Sequence, residues 1–298
     1  MSAPDLVILT DPRYLRLDPS NPYQQQIASE EGLIADALAA RGLRVARWAW
    51  SDPATQWATV AGALFRSTWD YVDHFAAFMD WVARTEPLTR LFNPATLIRW
   101  NSDKRYLDDM TAAGIAVIPT HFVEPGATTT LGAVMDTHGW DAAVYKPVVS
   151  AGARLTFRAE RADAAVHEAR FADCVAAEAM MVQRFEPAIV EHGELSLMVI
   201  DGRFTHAVRK RARAGDFRVQ DDHGGTVHPH AATADERDFA RAVVAACPCP
   251  PLYARVDVVR RADGSLHLME LELIEPELFF RHQPEAAQAL ADALVRQI

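Results

Sequence analysis

Residues 253–280 read YARVDVVRRADGSLHLMELELIEPELFF, and the fold turns on how this stretch pairs with itself. Tyr253 to Val259 alternates as a strand does, Ala262-Asp263-Gly264 is a turn, and Leu266 to Leu273 reads as the returning strand. Side chains of a strand alternate between two faces, so Glu270 and Glu272 share one face and Asp257 joins them from the partner strand. Three converging carboxylates repel one another, and burial drives each toward protonation; a bound cation relieves both problems. Hard oxygen ligands on rigid strands suit Mg2+ bridging the phosphates of a nucleotide. Arg255 lies on the same face, a cation where transferred phosphate charge needs one. The competing reading is an exposed face of solvated acids, the usual fate of an isolated E-x-E; Arg255 weighs against it.

The chain around this hairpin has 298 residues, enough for two or three subdomains. Half of the residues are hydrophobic and 23% are charged, the make-up of a soluble globular protein. A net charge of -10 argues against a broad nucleic-acid surface, which is usually basic. Cys174, Cys247 and Cys249 form no pair of C-x-x-C units, so neither a disulfide framework nor a zinc knuckle is indicated, which fits a reducing cytoplasm. Cys247-Pro-Cys249 reads as a rigid turn with buried thiols rather than a soft-metal chelate. The first residues, MSAPDLVILTDPRYL, read as a buried strand rather than a leader. No apolar run approaches the ~20 residues of a membrane helix.

From the amino end, strands are expected at Leu6–Thr10, Leu43–Trp48, Gly62–Arg66 and Leu91–Asn93, with helices at Gln26–Ala40 and Val72–Thr85. This alternation predicts a parallel sheet with ligands beyond the carboxyl ends of its strands. Asp11, Arg13, Ser67, Thr68, Trp69 and Asp70 fall at such ends, as cleft residues or as ordinary turn residues. A short helix at Thr96–Trp100 follows, and then a helix at Ser102–Ala113 with Ser102 as N-cap and Gly114 as stop. Lys104 in that first turn opposes the helix dipole, a choice that a nearby phosphate explains.

Further along, Ala142–Pro147 is a strand ending in Lys146, followed by Ser150, Ala151, Gly152 and Ala153. Small side chains there let backbone N–H groups approach an anion; a plain glycine-containing hairpin is the alternative. Neither a P-loop nor a dinucleotide fingerprint is present. Met180–Phe185 is a strand whose end, Gln183-Arg184-Phe185, has the character of a hinge that holds a purine ring. Glu194–Ile200 and Arg203–Arg209 form a hairpin around Asp201-Gly202. Ala212–His228 reads as a loop that closes over a reaction centre or makes a surface excursion. Helices follow at Asp235–Ala246 and from Pro284 to Ile298.

Taken in order, Asn101-Ser-Asp-Lys104, Tyr145-Lys146-Pro147, Val182-Gln-Arg-Phe185, Glu194, His206 to Arg211, Gly224-Gly225, Arg255-Val-Asp257 and Glu270-Leu-Glu272 resemble the ATP-grasp superfamily of carboxylate-amine ligases over nearly the whole chain. The stretch from Gly193 through Arg218 and Gly224 resembles its glutathione-synthetase and RimK-like branch. The resemblance implies a fold of mixed α/β and α+β class, with an N-terminal parallel-sheet α/β domain and two lobes clamping ATP. The expected domains are residues 1–100, 101–184 and 185–298. By position, Lys104 and Lys146 would contact phosphates, with Ser150 and Gly152 in the covering loop. Gln183, Arg184 and Phe185 would hold adenine, and Glu191 or Glu194 the ribose or adenine edge. Asp257, Glu270 and Glu272 would hold Mg2+, while Arg255, Lys210 and Arg218 steady the transferred phosphoryl group. Glu272 stands where many members carry Asn.

Within the superfamily, LMELELIEPELFF and HAVRKRARAGDFRVQ are similar to the O-ureido-D-serine cyclo-ligases. That similarity implies antibiotic biosynthesis in the cytoplasm: the carboxylate of a small amino-acid-like substrate becomes an acyl phosphate and closes intramolecularly. No nucleic-acid or membrane partner is implied, and a homodimer is left open. An intermolecular, peptide-forming ligase and a catalytically silent nucleotide-binding protein are the competing functions.

Overall fold

The computed structural model describes residues 3–213, 215–216, 218 and 224–298. Its architecture is three sheets met in chain order. The first is parallel, with strands Val45–Ala49, Leu6–Thr10, Gly62–Ser67 and Arg90–Phe92 side by side in that order. Leu6–Thr10 is wholly buried, as a central parallel strand covered on both faces must be. Helix Pro22–Ala39 packs against this sheet through Ile34, Ala37 and Leu38. It starts earlier than its apolar period suggests, because Asn21 Oδ1 accepts the Tyr23 and Gln24 N–H groups and Pro22 takes the first helical position.

The other two sheets are antiparallel. The central one runs Thr120–Val123, Met180–Arg184, Ala142–Pro147, Phe157–Glu160. The C-terminal one runs Thr226–His230, Arg203–Arg211, Glu194–Ile200, Tyr253–Arg260, Leu266–Glu272. The hairpin at Asp201-Gly202 has both residues at positive φ, 50° and 71°, the conformation a two-residue turn between twisted strands needs. Among the described residues no helix is long and apolar enough to cross a membrane.

Two expectations are corrected. The helix expected over 102–113 is two elements: Ser102 ends helix Ala95–Asn101, and the next helix is Tyr106–Ala112. Ser102 Oγ donates back to Arg99 O, and Lys104 N–H leaves the helical path to donate to Val148 O at 3.0 Å. Lys104 therefore precedes the helix rather than lying in its first turn. Within the loop expected at 212–228, residues 214, 217 and 219–223 lie outside the described residues, but Thr226–His230 is an edge strand, a place that tolerates Pro229. The last helix, Pro284–Val295, packs on the first helix, its Ala287, Leu290, Ala291 and Leu294 sharing a core with Ile34 and Leu38.

Candidate active site

The hairpin places its charged residues as strand alternation requires. Asp257 stands opposite Glu270 and Arg255 opposite Glu272, with a bulge between Asp257 and Val258. The free edge of Leu266–Glu272 is held from outside its sheet. Asn101 accepts the Leu273 N–H and donates to Leu271 O, both at 2.8 Å, and the Tyr106 hydroxyl accepts the Leu271 N–H at 2.8 Å. Glu270 and Glu272 thus sit on backbone fixed from both sides.

Cations from other elements converge on these acids. Lys104 Nζ lies 3.1 Å from Glu270 Oε1 and also donates to Ser150 O at 2.6 Å. Lys146 Nζ approaches Glu270 Oε2 at 3.3 Å. Arg255 binds Asp257 through Nε and Nη2, the latter at 2.8 Å, and bonds to Glu272 as well. Lys210 pairs with Glu194 and, at 3.3 Å, with Asp257, which also accepts from Ser196 Oγ at 2.5 Å. Gly193 permits the approach of these strands: its φ is +83°, and a Cβ there would meet Lys210 O at 2.4 Å.

Burial pushes the Glu270 carboxyl up, yet Lys104 and Lys146 outweigh it and hold this group well below the usual carboxylate range. Burial likewise opposes ionisation of Asp257, and Arg255 and Lys210 overcome it. Glu272 goes the other way: burial raises it to about 7, against the pull of Arg255 and with the push of Asp257 and Glu270. Of the three acids, Asp257 and Glu270 are thus held ionised by neighbouring cations and Glu272 alone is disfavoured as an anion. In this arrangement Asp257 is engaged by Arg255, Lys210 and Ser196, and Glu270 and Glu272 are the strand acids with more exposed side chains. Among the described residues no group of three His, Cys, Asp or Glu is disposed to hold a metal ion. The donor set still fits Mg2+, which commonly takes one or two carboxylates and completes its shell with phosphate oxygens and water.

A cleft of about 270 Å3 is lined by Lys104, Lys146, Ser150, Gly152, Gln183, Arg184, Phe185, Glu194, Lys210, Arg218, Arg255, Asp257, Glu270 and Glu272. Glu191 stands apart, exposed beside His192 and outside that lining. The loop after Lys146 carries Gly152 and Ala153 at φ 57° and Leu155 at φ 46°, a sparsely populated backbone for two non-glycine residues in one short loop. At the hinge the N–H groups of Arg184 and Phe185 are used within the protein, donating to Pro119 O and Ala142 O. Arg158 lies 3.8 Å over the Phe185 ring, and Arg218 chelates Asp216. Of the residues at the first sheet's strand ends, Ser67 and Trp69 line the cleft, whereas Asp11 pairs with Arg13 and Asp70 accepts from Trp50 Nε1.

Sequence reasoning did not single out Tyr106, Glu30, Arg66 or Glu275, all in the cleft wall. The only sequence signal was for Glu275, an acid three positions after the E-L-E motif.

Residues 6–93 match the family described as D-cycloserine synthetase DcsG, N-terminal domain, and residues 112–259 the prokaryotic glutathione synthetase, ATP-grasp domain. The cycloserine biosynthesis protein DcsG of Streptomyces lavendulae is 30% identical over 312 residues, covering 98% of each chain. A crystal structure of D-cycloserine synthetase DcsG superposes with a TM-score of 0.83 at 30% identity, over 98% of this chain and 99% of that one. The ATP-grasp ligase PsnB, solved with a variant of its minimal precursor, Mg and ADP, has a TM-score of 0.66 at 17% identity over 99% of each chain, a likeness of fold.

Proposed function

This chain belongs to the ATP-grasp ligases, in the family of the D-cycloserine synthetase DcsG, and is an ATP-dependent carbon–nitrogen ligase; from that premise we propose that it closes O-ureido-D-serine to D-cycloserine. The observation that carries this reading is the relationship to the cycloserine biosynthesis protein over 98% of both chains, the N-terminal sheet included. We take residues 1–100, 101–184 and 185–298 as its working domains, a division supported by one sheet falling within each range.

In the proposed reaction ATP lies in the cleft, with adenine toward Gln183, Arg184 and Phe185, the ribose or adenine edge near Glu194, and the phosphates toward Lys104, Lys146 and the backbone of 150–153. Glu270 and Glu272, with Asp257 once its cations turn to phosphate, would hold Mg2+, which when bound neutralises and orients the phosphates. The substrate carboxylate displaces ADP from the terminal phosphorus, and Arg255, Lys210 and Arg218 offset the charge of the transferred group. Water cleaves the bond between the aminooxy nitrogen and the carbamoyl carbon, that carbon leaving as CO2 with ammonia, and the nitrogen, which stays on its oxygen, attacks the acyl carbon. A five-membered isoxazolidinone closes and phosphate leaves. Tethering nucleophile and electrophile in one molecule replaces a second substrate with a high effective concentration. No protein nucleophile is required, since positioning and charge neutralisation carry this chemistry.

Phosphate release from purified protein, ATP and Mg2+ tests the reading. Release with O-ureido-D-serine alone, with D-cycloserine formed, is expected. The match of residues 112–259 to the glutathione synthetase domain favours a second reading, ligation to a separate amine; release only when such an amine is added would establish it instead.

A further inference from the structure

We propose that Glu275 receives the α-ammonium group of the substrate and so selects amino-acid carboxylates. This rests on the reading above that the substrate is an amino acid, and it adds the residue that recognises it as one. Glu275 lies three positions after Glu272, is 7% exposed and faces the cleft. Its carboxyl makes no hydrogen bond or ion pair with another side chain among the described residues. Every other carboxylate lining the cleft has a cation against it. Glu30 has Arg66, Glu31 has Arg47, Glu186 has Arg261, Glu194 has Lys210, Glu277 has Arg281, and the hairpin acids have Arg255 and the lysines. Its own backbone N–H and the field of Lys104 favour its charge, but a buried carboxyl without an ion-pair partner remains costly, and a ligand cation is a group that lowers the cost.

The backbone around Glu275 is held so that this carboxyl stays in the cleft. Arg66, from the first sheet, donates to Pro276 O, and Glu30, from the first helix, accepts the Leu278 N–H at 2.7 Å. Ile274 is packed into the core of the N-terminal sheet. Glu275 therefore stands where that sheet meets the hairpin carrying the phosphate chemistry. In an amino acid the ammonium nitrogen is on the carbon next to the carboxylate. A group that binds it must lie in the same cleft as the residues that meet the transferred phosphate, and Glu275 lines that cleft with Arg255, Lys210 and Glu272. Burial, with Glu272 and Glu270 adding to it and Lys104 opposing it, raises the carboxyl to about 8, so an added cation nearby would favour its charged form.

The test compares O-ureido-D-serine with 3-(ureidooxy)propanoate, the same molecule without its amino group, on the wild type, Glu275→Gln and Glu275→Asp. Binding of a nonhydrolysable ATP analogue with Mg2+ is measured alongside. The expected result is a KM for O-ureido-D-serine raised roughly 10- to 100-fold in Glu275→Gln. Glu275→Asp recovers part of the loss, preference over the desamino compound collapses in the Gln variant, and analogue binding is unchanged. Wild-type turnover with undiminished preference in Glu275→Gln overturns the assignment to Glu275 alone. A variant whose analogue binding or Mg2+ dependence shifts also overturns it, because Glu275 then serves the nucleotide, the metal or the fold. Absence of wild-type turnover with O-ureido-D-serine overturns the proposed function itself.

Discussion

Lys146 on the central sheet and Glu270 on the C-terminal sheet face each other across the cleft, Nζ to Oε2, at 3.3 Å and 124 residues apart in sequence. With Lys104 on its other oxygen, Glu270 is a carboxylate held ionised by two lysines, the pair proposed to meet phosphate. Under the proposed function, nucleotide binding would give those lysines another anion and leave Glu270 for a metal ion.

Mg2+ alone is therefore expected to bind weakly, and at least about 10-fold more tightly when ADP or a nonhydrolysable ATP analogue is present. Calorimetric titration with and without nucleotide measures the ratio. Equal affinities would show that the lysines do not compete for Glu270.

Removing one partner from this contact separates the roles. Lys146→Ala should weaken ATP-analogue binding by about 10-fold, the loss of one charge-assisted contact. Glu270→Ala should lower kcat by roughly 100-fold or more while the circular dichroism spectrum stays native. Wild-type rates in the second variant would remove Glu270 from the metal assignment.

Asn93 joins the N-terminal sheet to the hairpin. Its Nδ2 donates to Tyr253 O and Leu273 O at 2.9 and 2.8 Å, and its Oδ1 accepts the Leu252 N–H at 2.5 Å, all buried. Asn93→Ala strands three backbone groups and should cost about 3 kcal/mol in urea unfolding. A change below about 0.5 kcal/mol would mean that these groups find other partners.

His206 gives stability a defined pH dependence. Burial lowers its pKa to about 4, although its Nε2 donates to Leu278 O at 2.8 Å. The folded protein keeps this ring neutral down to about pH 4, while the unfolded chain takes the proton near 6.5. The contribution is thus complete above about pH 6.5 and is lost as pH falls toward 4, by up to about 3 kcal/mol. Urea midpoints between pH 7 and 4 should fall less steeply in His206→Gln. An unchanged slope would place the dependence on other groups.

The elements that could be read from the chain are those whose signals are local. Strand Leu6–Thr10, the turn at Asp201-Gly202 and the pairing of residues 253–272 rest on side-chain period and turn chemistry, and each is found where its pattern puts it. The split at Ser102 was illegible because a serine suits a helix start as well as a stop. The decision belongs to Val148, which draws the Lys104 N–H away. Strand Thr226–His230 was hidden for the same kind of reason: an edge strand containing Pro229 has little period of its own and forms because Arg203–Arg211 offers it partners.

By itself the sequence determined which residues carry charge on one face of each strand, since a period of two leaves no choice once the strand forms. Asp257, Glu270, Glu272 and Arg255 had to share a face. Tertiary structure decided which cation each acid met and which acid met none. Those distances depend on how three sheets pack, and the Coulomb energy that sorts Glu270, Glu272 and Glu275 into different protonation behaviour varies with separation and burial, neither of which is local in the chain.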